Sequence, residues 1–156
     1  MNFMSKTFGM ALALSIALAA PAFAGDYASI NQQDSYTYTQ VIQHNGHTKL
    51  KVKELDERSY DRLSRGLQRV KPGFYAAIGR FMGCRAHNVG SNSASIEQAG
   101  FSNAATATQS GSNDFVSLRQ DGDGNIISAH QLGNDQTALA NQTGSHNIAF
   151  IMQSCR

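Results

Sequence analysis

From residue 92 to the C-terminus, apolar and polar residues alternate in a pattern that restarts every eleven residues. Counted from the first polar residue of each unit, places two and four hold Ala94/Ile96, Ala105/Ala107, Val116/Leu118, Ile127/Ala129, Ala138/Ala140 and Ala149/Ile151. The odd places carry mainly Ser, Thr, Glu, Arg, His and Asn, with Phe115, Ile126, Leu139, Ile148, Phe150 and Met152 as exceptions. Alternation of this kind predicts strands of about seven residues with one face turned inward.

Three polar columns run in register with the strands. Gln recurs at Gln98, Gln109, Gln120, Gln131, Gln142 and Gln153. Gly follows two places later at Gly100, Gly111, Gly122, Gly133 and Gly144, opening a turn. Six positions before each Gln stand Asn92, Asn103, Asp114, Asn125, Gln136 and Asn147. Strand, turn, strand, turn makes one coil of 22 residues, so the six units predict three coils, 92–113, 114–135 and 136–156. A buried amide without a partner costs about 1–3 kcal/mol. Coils stacked about 4.8 Å apart remove that cost, because each Gln bonds its equivalent above and below. Seven of the twelve inward places are Ala, so the interior is thin and the ladder carries much of the cohesion. The last unit ends close to Arg156 with Ile148, Phe150 and Met152 outward. This predicts a C-terminal edge open to another coil, and head-to-tail stacking of that kind builds a filament.

These columns resemble the curlin repeat of bacterial curli subunits. Asn103, Asn125, Asn147 and all six Gln match its pattern directly, whereas Asn92, Asp114 and Gln136 stand where the family usually has Ser. The resemblance covers residues 92–154 and implies a mainly β fold, a short β-solenoid, in a chain that is not an enzyme. It further implies a secreted structural subunit of functional amyloid fibres at the bacterial cell surface, serving adhesion and biofilm matrix. The implied partners are the chain itself, other curlin subunits and the outer-membrane curli export machinery, with no cofactor. In that reading the Gln column and the Asn/Asp/Gln column form the self-assembly ladder. The long charged leader departs from familiar curlin subunits and opens an alternative role, a minor nucleator or accessory module that binds a separate fibre subunit through residues 25–91.

Composition divides the chain. Residues 1–24 read as a secretory signal peptide: Lys6, an apolar run from Phe8 to Ala20, then Ala22-Phe23-Ala24 before Gly25. Residues 25–91 hold ten Lys or Arg against six Asp or Glu, net +4, and residues 92–156 hold two against five, net −3. The leader predicts a hairpin at Asn45-Gly46 between alternating runs, then an amphipathic helix over 54–71 ended by Pro72-Gly73. That makes a small α+β or partly disordered N-terminal region before the solenoid. Gln32 and Gln43 share the eleven-residue phase as a weak echo, and the apolar stretch Phe74 to Met82 is placed on the helix or over the N-terminal edge of the first coil.

Candidate chemistry is sparse. Cys84 and Cys155 in an exported chain allow an internal disulfide, an inter-subunit one or free thiols. Asp121-Gly122-Asp123-Gly124-Asn125 lacks the Gly and Glu positions of an EF-hand loop, so it reads as a turn, with no metal. His44, His47, His87, His130 and His146 lack metal spacing and read as surface positions. Basic residues are interleaved with acidic ones, which disfavours nucleic acid, and no catalytic constellation or small-molecule site stands out.

Overall fold

The computed structural model describes residues 14–18, 26–44, 47–81, 84 and 91–155. The signal-cleavage residues Ala22-Phe23-Ala24 and the hairpin turn Asn45-Gly46 lie outside them. In chain order the elements are β1 (Leu14–Leu18), β2 (Tyr27–Gln32), β3 (Thr37–His44), β4 (His47–Glu54), α1 (Glu57–Arg69), α2 (Pro72–Phe81), β5 (Ser93–Ala99), β6 (Ala104–Ser112), β7 (Phe115–Asp121), β8 (Ile126–Asn134), β9 (Thr137–Thr143) and β10 (Ile148–Ser154).

The chain is mainly β. Its strands form two five-stranded sheets, ordered β1-β2-β9-β7-β5 and β4-β3-β10-β8-β6. From β5 onward, consecutive strands go to opposite sheets, so every 22 residues lays one strand in each. The pairs are parallel and in register, with Gln98 opposite Gln120 and Gln109 opposite Gln131. Between the sheets, places two and four pack together. Val116, Leu118, Ile127, Ala129, Ala138, Ala140, Ala149 and Ile151 form one buried cluster with Ala28, Ile30 and Val41. With so many alanines the sheets sit close, and each aliphatic side chain that is fully buried contributes about 1.5–3 kcal/mol.

Three coils preceded by a separate N-terminal region is therefore not the arrangement observed. Residues 26–44 supply a fourth layer, and they do so at the far end of the stack. β2 pairs in parallel with β9, setting Ile30 against Ala140, and β3 pairs with β10, setting Val41 against Ile151. The segment is competent because Gln32 and Gln43 carry the ladder phase and Asp26 and Thr37 stand six residues before them. What looked like a weak echo is a full member of the register.

The C-terminal edge is consequently covered. β10 lies between β8 and β3 and is buried along its whole length. β4 then folds back antiparallel on β3, with His44 opposite His47, and forms the edge of that sheet.

α1 begins later than the apolar spacing predicts, because β4 runs through Glu54 and the Asp56 carboxylate caps the helix, accepting from the Ser59 N–H at 2.7 Å. Tyr60 packs with Leu55, Ile126 and Ile148, and Tyr36, Tyr38, Leu63 and Leu67 close around them. Tyr75 of α2 packs with Leu132, Phe150 and Met152. The two helices thus clothe the outer face of the β8–β10 sheet. This explains the outward Ile126, Ile148, Phe150 and Met152, which serve a flank rather than an open end. Of the apolar stretch Phe74 to Met82, which runs past the described residues, α2 contributes Tyr75 and Ile78 to the flank and also touches β6 of the first coil, while β5 is exposed throughout. Cys84 and Cys155 are joined in a disulfide that ties the end of the helical segment to the end of β10.

Candidate functional site: a glutamine ladder open at one end

The Gln side chains form two continuous rows. In one, Gln98 Nε2 donates to Gln120 Oε1 at 2.6 Å, Gln120 to Gln142 at 3.0 Å, and Gln142 to Gln32 at 2.7 Å. In the other, Gln109 donates to Gln131 at 3.1 Å, Gln131 to Gln153 at 2.9 Å, and Gln153 to Gln43 at 2.8 Å. The amide nitrogens also reach across the interior: Gln131 donates to the Phe115 carbonyl at 3.1 Å and Gln153 to that of Thr137 at 3.0 Å. Each such bond spends a second amide proton on a strand carbonyl, so the buried amides are satisfied and the two sheets are clipped together.

The second column works differently from a side-chain ladder. Each Asn accepts from the backbone N–H one layer on: Asn103 from Asn125 at 2.9 Å, Asn125 from Asn147 at 3.1 Å, Asn147 from Thr37 at 3.1 Å. Their Nδ2 groups donate to turn carbonyls, Asn103 to Gly122 at 2.7 Å and Asn125 to Gly144 at 2.9 Å, while Asn147 donates to Asp34. Asn92 follows the same rule toward Asp114 and Gly111. Departures from Asn carry a penalty. Asp114 accepts from the Gln136 N–H at 3.1 Å through Oδ1, but its buried Oδ2, where an Asn carries Nδ2, has no partner. Both amide atoms of the longer Gln136 are likewise buried and unpartnered. Burial pushes the Asp114 carboxyl up to about 6, opposed by its backbone hydrogen bond from Gln136 and reinforced by the nearby Asp135.

The turn glycines sit where successive layers touch. A Cβ on Gly122, at φ 120°, would collide with the Gly144 carbonyl of the next layer, and Gly100 stands in the same relation to Gly122. A further column escaped the sequence reading. Tyr36, Ser102, Asn113, Asp135 and His146 all adopt left-handed φ between 55° and 59°, and Gly124 joins them at 66°. These are the residues just before Thr37 and before the second-column positions from Asn103 to Asn147. The signal was there in the Ser, Asn, Gly and Asp recurring at eleven-residue spacing, types that tolerate this conformation. Asp123 adds a turn contact, its Oδ1 accepting from the Phe101 N–H at 2.8 Å.

His130 corrects the surface assignment made for the histidines. It is buried, stacked on Tyr75 at a centroid distance of 3.5 Å, with Ser128 Oγ 2.7 Å from its Nε2. Burial lowers its pKa to about 4, so it stays neutral in the fold. His146 stacks on Tyr36 at 4.7 Å, with Tyr60 edge-on to both. Among the described residues no group of three or more His, Cys, Asp or Glu is placed to hold a metal ion, and no helix is long and apolar enough to cross a membrane.

The two ends of the stack differ. At the β5–β6 end the interior is cut open: Ile96, which continues the Leu118 and Ala140 column, is 44% exposed, and Phe101 and Phe115 are exposed at 79% and 41%. β6 carries no charged residue, and β5 carries only Glu97, 3.9 Å from Arg119. At the opposite end β4 presents Lys49, Lys51 and Lys53, all exposed. Replacing Gln153 with Ala should cost about 3 kcal/mol in urea unfolding, since it orphans buried amide groups on both neighbours. Gln98→Ala, at the exposed end, should cost well under half of that. Equal losses would show that the ladder carries no energy.

Parallel strands stacked through repeated polar columns define a repeat architecture. The model for the curlin associated repeat, a structural family of curli-type subunits, matches residues 91–122, so this part of the chain is similar to that family. No curated protein and no solved structure matches the chain.

Proposed function

We propose that this chain is a β-solenoid subunit of curli-like functional amyloid fibres, secreted through the periplasm to the bacterial cell surface, and that it enters the fibre by coil stacking at its β5–β6 layer. The signal-peptide pattern at residues 1–24 supports export, and curli export machinery at the outer membrane is the partner that such a route requires. The observation that carries the reading is the open β5–β6 end, where an apolar interior, unpaired strand edges and the first rung of both Gln rows are exposed together. Adhesion and biofilm matrix follow as properties of the fibre.

One observation favours a second reading, a minor nucleating or accessory subunit that templates a separate fibre protein. The end opposite β5 is already occupied by the chain's own residues 26–44 and 47–54, so β5–β6 is the end at which the edges of both sheets are open. In that reading the template is β5–β6 rather than the N-terminal segment.

Sedimentation tests the proposal. Labelled chain mixed with sheared curli fibres should pellet with them, and Ala107→Pro, which removes a backbone donor on the free edge of β6 while the N–H groups in phase with Ala104 face β8, should leave the label in the supernatant. Wild-type chain that stays soluble beside the fibres would sink the proposal.

A further inference from the structure

The ladder has a direction, and the two ends are not complementary. In every Gln–Gln bond the amide of the layer nearer β5–β6 donates to the carbonyl of the layer nearer β4. Gln98 and Gln109 therefore face an incoming layer with Oε1 acceptors. A partner that continues the stack below them must bring Gln amides that still have a proton to donate. In chain order the layer that precedes β5–β6 would be the last layer of another repeat array, since the parallel layers here advance from 92–113 to 136–155 toward β4. This chain's own last layer has spent those donors: Gln142 on Gln32 and Gln153 on Gln43.

The fourth layer also terminates one of the two rows through its amide, while in the other Gln43 keeps the cross-interior bond to the Tyr27 carbonyl at 3.0 Å and β4 sets Thr48 beside it in place of a further Gln. Gln32 Nε2 turns back into its own layer, donating to the Thr39 hydroxyl at 2.9 Å and the Thr37 carbonyl at 3.2 Å. β4 then reverses direction, so a parallel layer finds no matching strand, and its three lysines set like charges along the edge. Charged, reversed edge strands are the device by which sheets resist further pairing. β1 lies within the segment proposed as a signal peptide, so the stop rests on β4 and Gln32.

We infer that residues 26–54 are a built-in stop, and that the chain is a terminal subunit. Its β5–β6 face takes the last layer of an uncapped curlin-repeat chain, and its β4 face takes nothing. The inference deepens the fibre-subunit reading and depends on it. A second copy of this chain is excluded as the partner while its own residues 26–44 stay in place. Fibres that contain the chain carry it at one tip, and they grow only away from that tip.

The test uses full-length chain carrying a fluorescent label, assembled with a tenfold or larger excess of soluble curli subunit in two successive colours. The expected image is one label per fibre at an end, with the second colour only at the opposite end. Label scattered along fibres, or growth on both sides of it, would overturn the stop while leaving fibre entry intact. Absence of label from all fibres would instead strike the fibre-subunit reading itself. Val41→Asp places a charge at a fully buried site of β3 and should release the fourth layer, moving label from tips to the interior of fibres. A folded Val41→Asp chain that still sits only at tips would show that residues 26–54 are not the stop. If that variant does not fold, the position of wild-type label alone decides.

Discussion

Gly122→Ala is expected to destabilise the fold by more than about 4 kcal/mol, enough to leave little folded protein at room temperature. Two causes combine. The residue sits at φ 120°, which side chains rarely adopt, and its new Cβ would drive into the Gly144 carbonyl, a backbone atom that cannot turn aside. Separating the layers to make room would break the Gln120–Gln142 and Asn125–Gly144 bonds on either side. Gly66→Ala supplies the control. In the interior of α1 it meets nothing within 4 Å, so alanine should stabilise by up to about 1 kcal/mol. Urea titrations of both variants followed by far-UV circular dichroism would show it. A Gly122→Ala protein as stable as wild type would mean that the layers do not meet at the turns.

Asp114→Asn should have the next largest effect, in the opposite direction. The buried carboxylate holds an unpartnered oxygen where Asn92, Asn103 and Asn125 each direct an N–H at a turn carbonyl. Its pKa is raised from 3.8 to about 6, so the folded state binds a proton more readily than the unfolded chain. Stability therefore falls as pH climbs from about 4 to about 6, and the full cost, about 3 kcal/mol, is present at pH 7. Asn removes the charge and restores the donor. The variant should be more stable than wild type by about that amount at pH 7.5, with the gain vanishing near pH 4. His130 works against this slope. Its pKa is lowered from 6.5 to about 4, so it withdraws stability as pH falls through that interval. Wild-type stability should thus be nearly level between pH 4 and 6 as far as these two groups go, whereas Asp114→Asn should weaken steadily on acidification. A constant difference between the two proteins across pH would place the carboxylate outside the ladder.

How much of this was legible in the chain depends on where the periodicity is clean. The Gln column, the turn glycines and the inward Ala, Val, Leu and Ile places follow from spacing alone, because stacking demands the same residue type at the same height. Orientation of the end layers did not follow. Ile148, Phe150 and Met152 look outward whether they await another coil or lie under a helix, and only tertiary contact with Tyr60 and Tyr75 separates the two cases. The fourth layer was hidden by substitution: Asp34 replaces a turn glycine and Thr37 replaces an Asn, so two of three columns lapse there. The spacing from Asp26 to Gln32 and from Thr37 to Gln43 was nevertheless in view. The left-handed column was missed because its residues share a backbone conformation, not a chemistry.

The pairing of β2 with β9 and of β3 with β10 joins residues 110 positions apart. Contacts that distant close late, because the loop between them must be ordered before they return any energy. The segment synthesised early is thus the last to find its seat, and it cannot do so until the whole repeat array exists. The disulfide between Cys84 and Cys155 ties the strand that receives it, β10, to the segment that follows α2. Folding order thus times the moment at which one end of the stack is sealed.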